Sequence, residues 1–122
     1  MEEIQKVIKE LSKFKCVSCI FLFGSQANGK ARKDSDTDIA VLTKDCSEKD
    51  IARIRGYSSE KVDISIFSKL PLIIQFRVLK EGKILFCKDE KQLYDTKVYV
   101  FKRYLDFSIF INKFYRRVIK NV

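Results

Sequence analysis

The sequence predicts a small α/β domain of the α+β kind, with a mixed sheet of about four strands packed with helices and a C-terminal helical segment. Three observations predict it. Short runs rich in branched and aromatic residues, near residues 17–23, 37–43 and 61–67, read as strands. Apolar residues at helical spacing lie before, between and after them. The chain has 122 residues with one proline and four glycines, which suits one compact domain and argues against disorder or a collagen-like chain.

The elements follow in order. Ile4, Val7, Ile8, Leu11 and Phe14 recur at helical spacing, so residues 2–14 read as an amphipathic helix. Residues 17–23 are apolar apart from Ser18 and stop at Gly24, the pattern of a buried strand. Residues 24–36, GSQANGKARKDSD, are polar and predict a short helix followed by a loop. Residues 37–43, containing IAVL, form a second strand, and the charged residues 48–58 a short helix or loop. Residues 61–67 alternate, with Val62, Ile64 and Ile66 on one face and Asp63, Ser65 and Phe67 on the other. Pro71 suits the first turn of a helix and Gly82 its end, with Leu72, Ile73, Phe76 and Leu79 as its apolar face. Residues 84–87 predict a short edge strand, and residues 91–120 a helix with a break near Asp106. Nothing divides the chain. It reads as a single domain over 1–122, with a core of about 1–90 and a C-terminal helical segment of about 91–122 suited to a partner.

Charge and cysteine usage bound the function classes. The net charge is +9, and residues 91–122 carry eight basic and two acidic side chains, so the excess is concentrated in the tail. The same tail holds Phe101, Tyr104, Leu105, Phe107, Ile109, Phe110, Ile111, Phe114, Tyr115, Val118 and Ile119. That is too broad an apolar surface for one contact face, and it suggests either another chain or a helix wedged into its own core. It carries no RNA-binding motif, so no stable nucleic-acid binding is expected. The N-terminus has no signal-peptide pattern and no apolar run approaches a bilayer span, so a cytoplasmic protein with no membrane partner is expected. Cys16 and Cys19 form a C-x-x-C, but it runs into an apolar strand and Cys46 and Cys87 are single. Zinc needs a second pair nearby, so the four read as buried or incidental thiols.

One cluster carries chemistry. Gly24 and Ser25 end the first strand, ten residues intervene, and Asp36 and Asp38 follow: GS-x10-D-x-D. A glycine at a strand end lets the backbone approach an anion closely, and Ser25 caps a helix whose free N–H groups favour phosphate. Asp36 and Asp38 are two apart and share a strand face, where paired carboxylates repel unless a cation lies between them. Mg²⁺ with oxygen ligands meets that need where substrate phosphates complete its shell. Asp63 stands among apolar neighbours, where burying a carboxylate without a partner is costly. If its strand lies beside the second, it faces the same site. Three carboxylates there argue for two metal ions, one orienting a triphosphate and one activating a hydroxyl, with Asp63 helping to take its proton.

FGSQANGKARKDSDTDIAVL followed by KVDISIF resembles the DNA polymerase β-like nucleotidyltransferase superfamily, and more narrowly its minimal nucleotidyltransferases (MNT). The resemblance covers residues 17 to about 87, including RVLKEGKILFCKD. It implies a small nucleotidyltransferase fold, ATP as substrate, two Mg²⁺ ions held by Asp36, Asp38 and Asp63, and Gly24 and Ser25 at the nucleotide. The family often has Arg where Asn28 stands, which removes a phosphate-side charge that Arg32 and Lys33 partly replace. The tail YLDFSIFINKFYRRVIK is similar to the C-terminal segment of MNT antitoxins that pair with HEPN toxins. That implies an antitoxin that adds AMP to a tyrosine of a HEPN ribonuclease encoded nearby, in a possible hetero-oligomer with it. Two alternatives remain open: an antitoxin acting by contact alone, and a transferase acting on a small molecule.

Overall fold

In a computed structural model, residues 2–24 and 37–120 are described. Their elements run α1 (Glu2–Ser12), β1 (Val17–Phe23), β2 (Thr37–Thr43), α2 (Glu48–Arg55), β3 (Val62–Ile66), a 3₁₀ turn (Phe67–Lys69), α3 (Leu72–Glu81), β4 (Lys83–Cys87) and α4 (Glu90–Lys120). The strands form one sheet in the order β3-β2-β1-β4. β1 pairs antiparallel with β2 and β4, while β2 and β3 are parallel. The sheet is therefore mixed, as its sequence pattern predicts. The helix predicted just after Gly24 lies outside the described residues.

Strand alternation separates two apolar layers. Ile39 and Val41 of β2 and Val62, Ile64 and Ile66 of β3 pack with Val7, Leu11 and Ile54 from α1 and α2. Ala40 and Leu42 face the other way and pack with Phe67, Val78, Leu79, Leu93 and Val100, under α3 and α4. The periodicity of α1 holds, since Ile4 and Ile8 join the first layer; the helix ends at Ser12, and Phe14 packs on the same layer from the turn beyond it. The charged stretch after Cys46 is helical because Ser47 caps it, its hydroxyl accepting from the Asp50 N–H at 3.1 Å.

α4 is anchored through its first turns. Asp89 accepts from the Gln92 N–H at 3.0 Å, and Gln92 donates to the Thr43 carbonyl at 2.9 Å while accepting from the Ser18 hydroxyl. Leu93 and Val100 are buried beneath it. Farther along, Tyr104 stacks on Phe76 of α3 with ring centroids 3.8 Å apart. Beyond that contact nearly every apolar side chain is exposed, including Phe110 at 64% and Ile119 at 70%. The expected break near Asp106 does not occur, and α4 is one helix of 31 residues. Asp106 is exposed, and a solvated carboxylate lowers helix propensity without interrupting the backbone bonds. Nor is the helix wedged into its own core.

The reading of the cysteines is corrected. Cys16 forms a disulfide with Cys46, and Cys19 lies against Cys87 with Sγ atoms 2.8 Å apart. The two members of the C-x-x-C belong to opposite layers: Cys16 lies in the turn before β1, and Cys19 lies past the irregularity in the β1–β2 pairing between Val17 and Cys19. No helix among the described residues is long and apolar enough to cross a membrane.

Candidate active site

The parallel register of β2 and β3 aligns Asp38 with Asp63 as direct Cα partners. Asp38 shares its face with Ala40 and Leu42, and Asp63 shares its face with Ser65 and Phe67. Both carboxylates thus sit side by side on the α3–α4 face, at the strand ends where β2 and β3 begin. β1 brings the third component. Phe23 pairs with Asp38 in the antiparallel register, which carries Gly24 to the same edge of the sheet.

Local structure holds each part. The Thr37 N–H donates to the Lys61 carbonyl at 2.7 Å and fixes the start of β2 on β3. β3 is an edge strand, and its outward N–H groups are taken by two serines. Val62 donates to the Ser59 hydroxyl and Ile64 to the Ser58 hydroxyl, each at 3.2 Å. Asp63 lies between these two pinned residues. The sequence alone did not single out Ser58 and Ser59, since two serines before a strand resemble an ordinary turn.

Asp63 is exposed, so the cost of burying a carboxylate is not what identifies it. The expectation of a charge enclosed by apolar neighbours is corrected: β3 is an edge strand, and Asp63 near its start is exposed while Ser65 is half-buried and Phe67 buried on the same side. What remains is its register with Asp38.

Gly24 has φ +79°, in the left-handed region, and a Cβ built on it would strike the Asp38 carboxylate. The glycine is therefore required by a neighbour within the chain, whatever phosphate also approaches it. Replacing it with alanine is expected to destabilise the fold by about 1–2 kcal/mol through the left-handed backbone, and to displace Asp38. Urea unfolding and calorimetry with ATP would read the two effects separately. Unchanged nucleotide affinity in Gly24→Ala would show that Asp38's position there does not matter for binding.

Ser25, Asp36 and Asn28 lie outside the described residues, so the D-x-D is represented by Asp38 alone. Among the described residues no three metal-ligating side chains converge, a set that excludes Asp36. The donors that are placed fit a hard divalent cation: two carboxylates on one face, beside a backbone turn without a side chain. A cavity of about 420 Å³ opens at the other end of β2, lined by Leu42, Phe67, Gln75, Tyr99 and Arg103 among others. It contains none of these carboxylates and is separate from the site.

The chain is similar to known proteins in sequence and in fold. In sequence, a "Putative protein adenylyltransferase" of Methanocaldococcus jannaschii is 38% identical over 74 residues. The match takes in 61% of this chain and 58% of that relative, so the chain spans less than two thirds of its length. In structure, the fold is similar to a chain in a crystal structure of a toxin–antitoxin with AMP-PNP, at TM-score 0.73 and 20% identity, covering 97% of both chains. It is also similar to a chain in the complex of a tri-AMPylated Shewanella oneidensis HEPN toxin with an MNT antitoxin, at TM-score 0.67 and 20% identity, covering 97% of this chain and 94% of that one. These likenesses extend over α4 as well as the sheet. The family described as "Polymerase beta, Nucleotidyltransferase" matches residues 5–91, which hold both aligned aspartates and the glycine beside them, and the chain belongs to that family.

Proposed function

We propose that this protein is an antitoxin-type protein adenylyltransferase. It transfers AMP from ATP to a tyrosine hydroxyl of a HEPN ribonuclease and so neutralises it. The observation that carries the reading is the pairing of Asp38 with Asp63 on one sheet face, beside a glycine whose missing side chain makes room for Asp38.

In this reading Asp36, Asp38 and Asp63 hold Mg²⁺, with two ions expected. When bound, Mg²⁺ supplies positive charge to the triphosphate and lowers the pKa of a hydroxyl near it. Asp38 lies beside Gly24 and across from Asp63 of β3, which places its carboxylate with the other two parts of the site. Gly24 and Ser25 lie at the phosphates. Asp63 accepts the proton of the tyrosine hydroxyl, an ordinary phenol with a pKa of about 10 that needs a base at neutral pH. The tyrosine oxygen bonds to the α-phosphorus as the bond to pyrophosphate breaks.

α4 supports a protein acceptor. Its distal turns expose Leu105, Phe107, Phe110, Phe114 and Ile119 on a helix that also carries the basic excess. Apolar surface on that scale suits a protein partner better than a small molecule or RNA. The solved structures with this fold and this helix include chains from complexes with toxins, which supports the same choice. A HEPN-type ribonuclease encoded nearby, in a hetero-oligomer with this chain, is the partner we infer.

Calorimetry with ATP tests the site without needing the partner. Binding is expected with Mg²⁺ present and is expected to disappear in excess EDTA, because empty paired carboxylates repel the triphosphate. ATP affinity unaffected by EDTA would rule out the metal-holding role of the aspartates.

A further inference from the structure

The four cysteines are not used by the transfer chemistry, yet the fold sorts them into two pairs. Cys16 and Cys46 are already joined. Cys19 and Cys87 are Cα partners across the antiparallel β1–β4 pairing. The Lys88 N–H donates to the Ser18 carbonyl at 2.9 Å, just outside that pair. A bond between the residues flanking a facing pair marks the narrow, non-hydrogen-bonded position, where Cα atoms approach to about 4.5 Å and side chains are closest. That separation lies within the range a disulfide spans. The Cys19 thiol donates toward Cys87 Sγ at 2.8 Å, so closure needs no movement of the strands.

We propose that Cys19 and Cys87 form a second, reversible disulfide, which ties the strand carrying the root of α4 to the central strand of the sheet. The two sulfurs have different roles. Cys87 is partly exposed and Cys19 is buried, so a small-molecule disulfide reaches Cys87 first. Burial, reinforced by its hydrogen bond to Cys87, pushes the Cys19 thiol up to about 12, so it is the weaker initial nucleophile. The Cys87 thiolate attacks the small disulfide, forming a mixed disulfide and releasing one thiolate. Cys19 then loses its proton and attacks the Cys87 sulfur, expelling the second thiolate. Two protein thiols are oxidised and one small disulfide is reduced to two thiols, which take up the two protons.

The location gives the bond a consequence. Cys87 ends β4, and α4 begins at Glu90. Closing a bond between residues 68 apart restricts the unfolded chain, and it fixes the segment from which the apolar helix projects. This inference does not depend on the nucleotide chemistry.

The experiment uses the full chain, reduced and then equilibrated with oxidised glutathione, acid-quenched, alkylated with N-ethylmaleimide in denaturant, and read by intact mass and non-reducing peptide mapping. The unaltered chain is expected to take up no maleimide and to lose about 4 Da relative to the reduced form, with Cys19 and Cys87 peptides linked. Cys87→Ser is expected to lose only about 2 Da and to keep one alkylatable thiol at Cys19. Thermal unfolding of the doubly oxidised chain is expected to lie about 10 °C above that of oxidised Cys87→Ser. If the unaltered chain stops at one disulfide, retains glutathione on Cys87, or cross-links between molecules, the proposal is wrong. Because the unaltered chain alone gives these outcomes, a failure of Cys87→Ser to fold leaves the test intact.

Discussion

Asp63→Asn is expected to bind ATP with Mg²⁺ nearly as the unaltered chain does, yet to transfer AMP at least about a hundredfold more slowly. Asparagine keeps the size of the side chain and one coordinating oxygen, but it cannot accept a proton from a phenol. Asp38→Asn is expected to behave differently. Asp38 lies beside Gly24 and across from Asp63, and loss of its charge weakens the cation site itself, so binding and transfer fall together. Intact-mass analysis of a HEPN partner incubated with ATP and each variant would separate the two patterns. If Asp63→Asn transfers AMP at the normal rate, the assignment of Asp63 as the base is wrong even if the antitoxin reading stands. If the partner's mass never changes while its ribonuclease activity is blocked, the chain acts by contact alone.

The contrast between these aspartates shows what the sequence could and could not carry. Parity along residues 61–67 was enough to put Asp63 on the face opposite Val62, Ile64 and Ile66, and the structure keeps that division. Strand order is not encoded locally, so the position of β3 at the sheet edge, and with it the exposure of Asp63, was not legible. Gly24 was legible as a special backbone position, but the neighbour that makes it special is Asp38, fourteen positions on, through the β1–β2 pairing. The limits of the first two strands could be read directly, because branched and aromatic runs end there at a glycine or polar residues.

The cysteine pairs are hidden in the sequence for the same reason. Cys16 and Cys19 look like a local pair, but they point into opposite layers, and each partner is 30 or 68 residues away. Only the sheet register and the path into α2 bring them together. α4 runs unbroken through Asp106 because neither glycine nor proline interrupts it.

That unbroken helix carries the last expected result. Phe110 and Phe114 are one turn apart on α4, exposed at 64% and 54%, and lie beyond the Phe76–Tyr104 stack that marks the end of the helix's packing on α3. Replacing both with glutamate is expected to leave the melting temperature of the isolated chain unchanged within a few degrees, because neither side chain supports the core. ATP binding is expected to be unchanged as well, since the carboxylate site lies on the sheet edge and not on α4. Affinity for the HEPN ribonuclease is expected to fall by about a thousandfold, the loss of two buried aromatic anchors at about 2 kcal/mol each. The negative charges would also oppose a partner surface complementary to Arg116, Arg117 and Lys120, which stand on the same distal turns. Surface binding measurements with the unaltered chain and the double variant, together with transfer assays at saturating partner, would show loss of affinity with little loss of maximal rate. Tight binding by the double variant would mean that the exposed aromatic face of α4 is not where the ribonuclease docks.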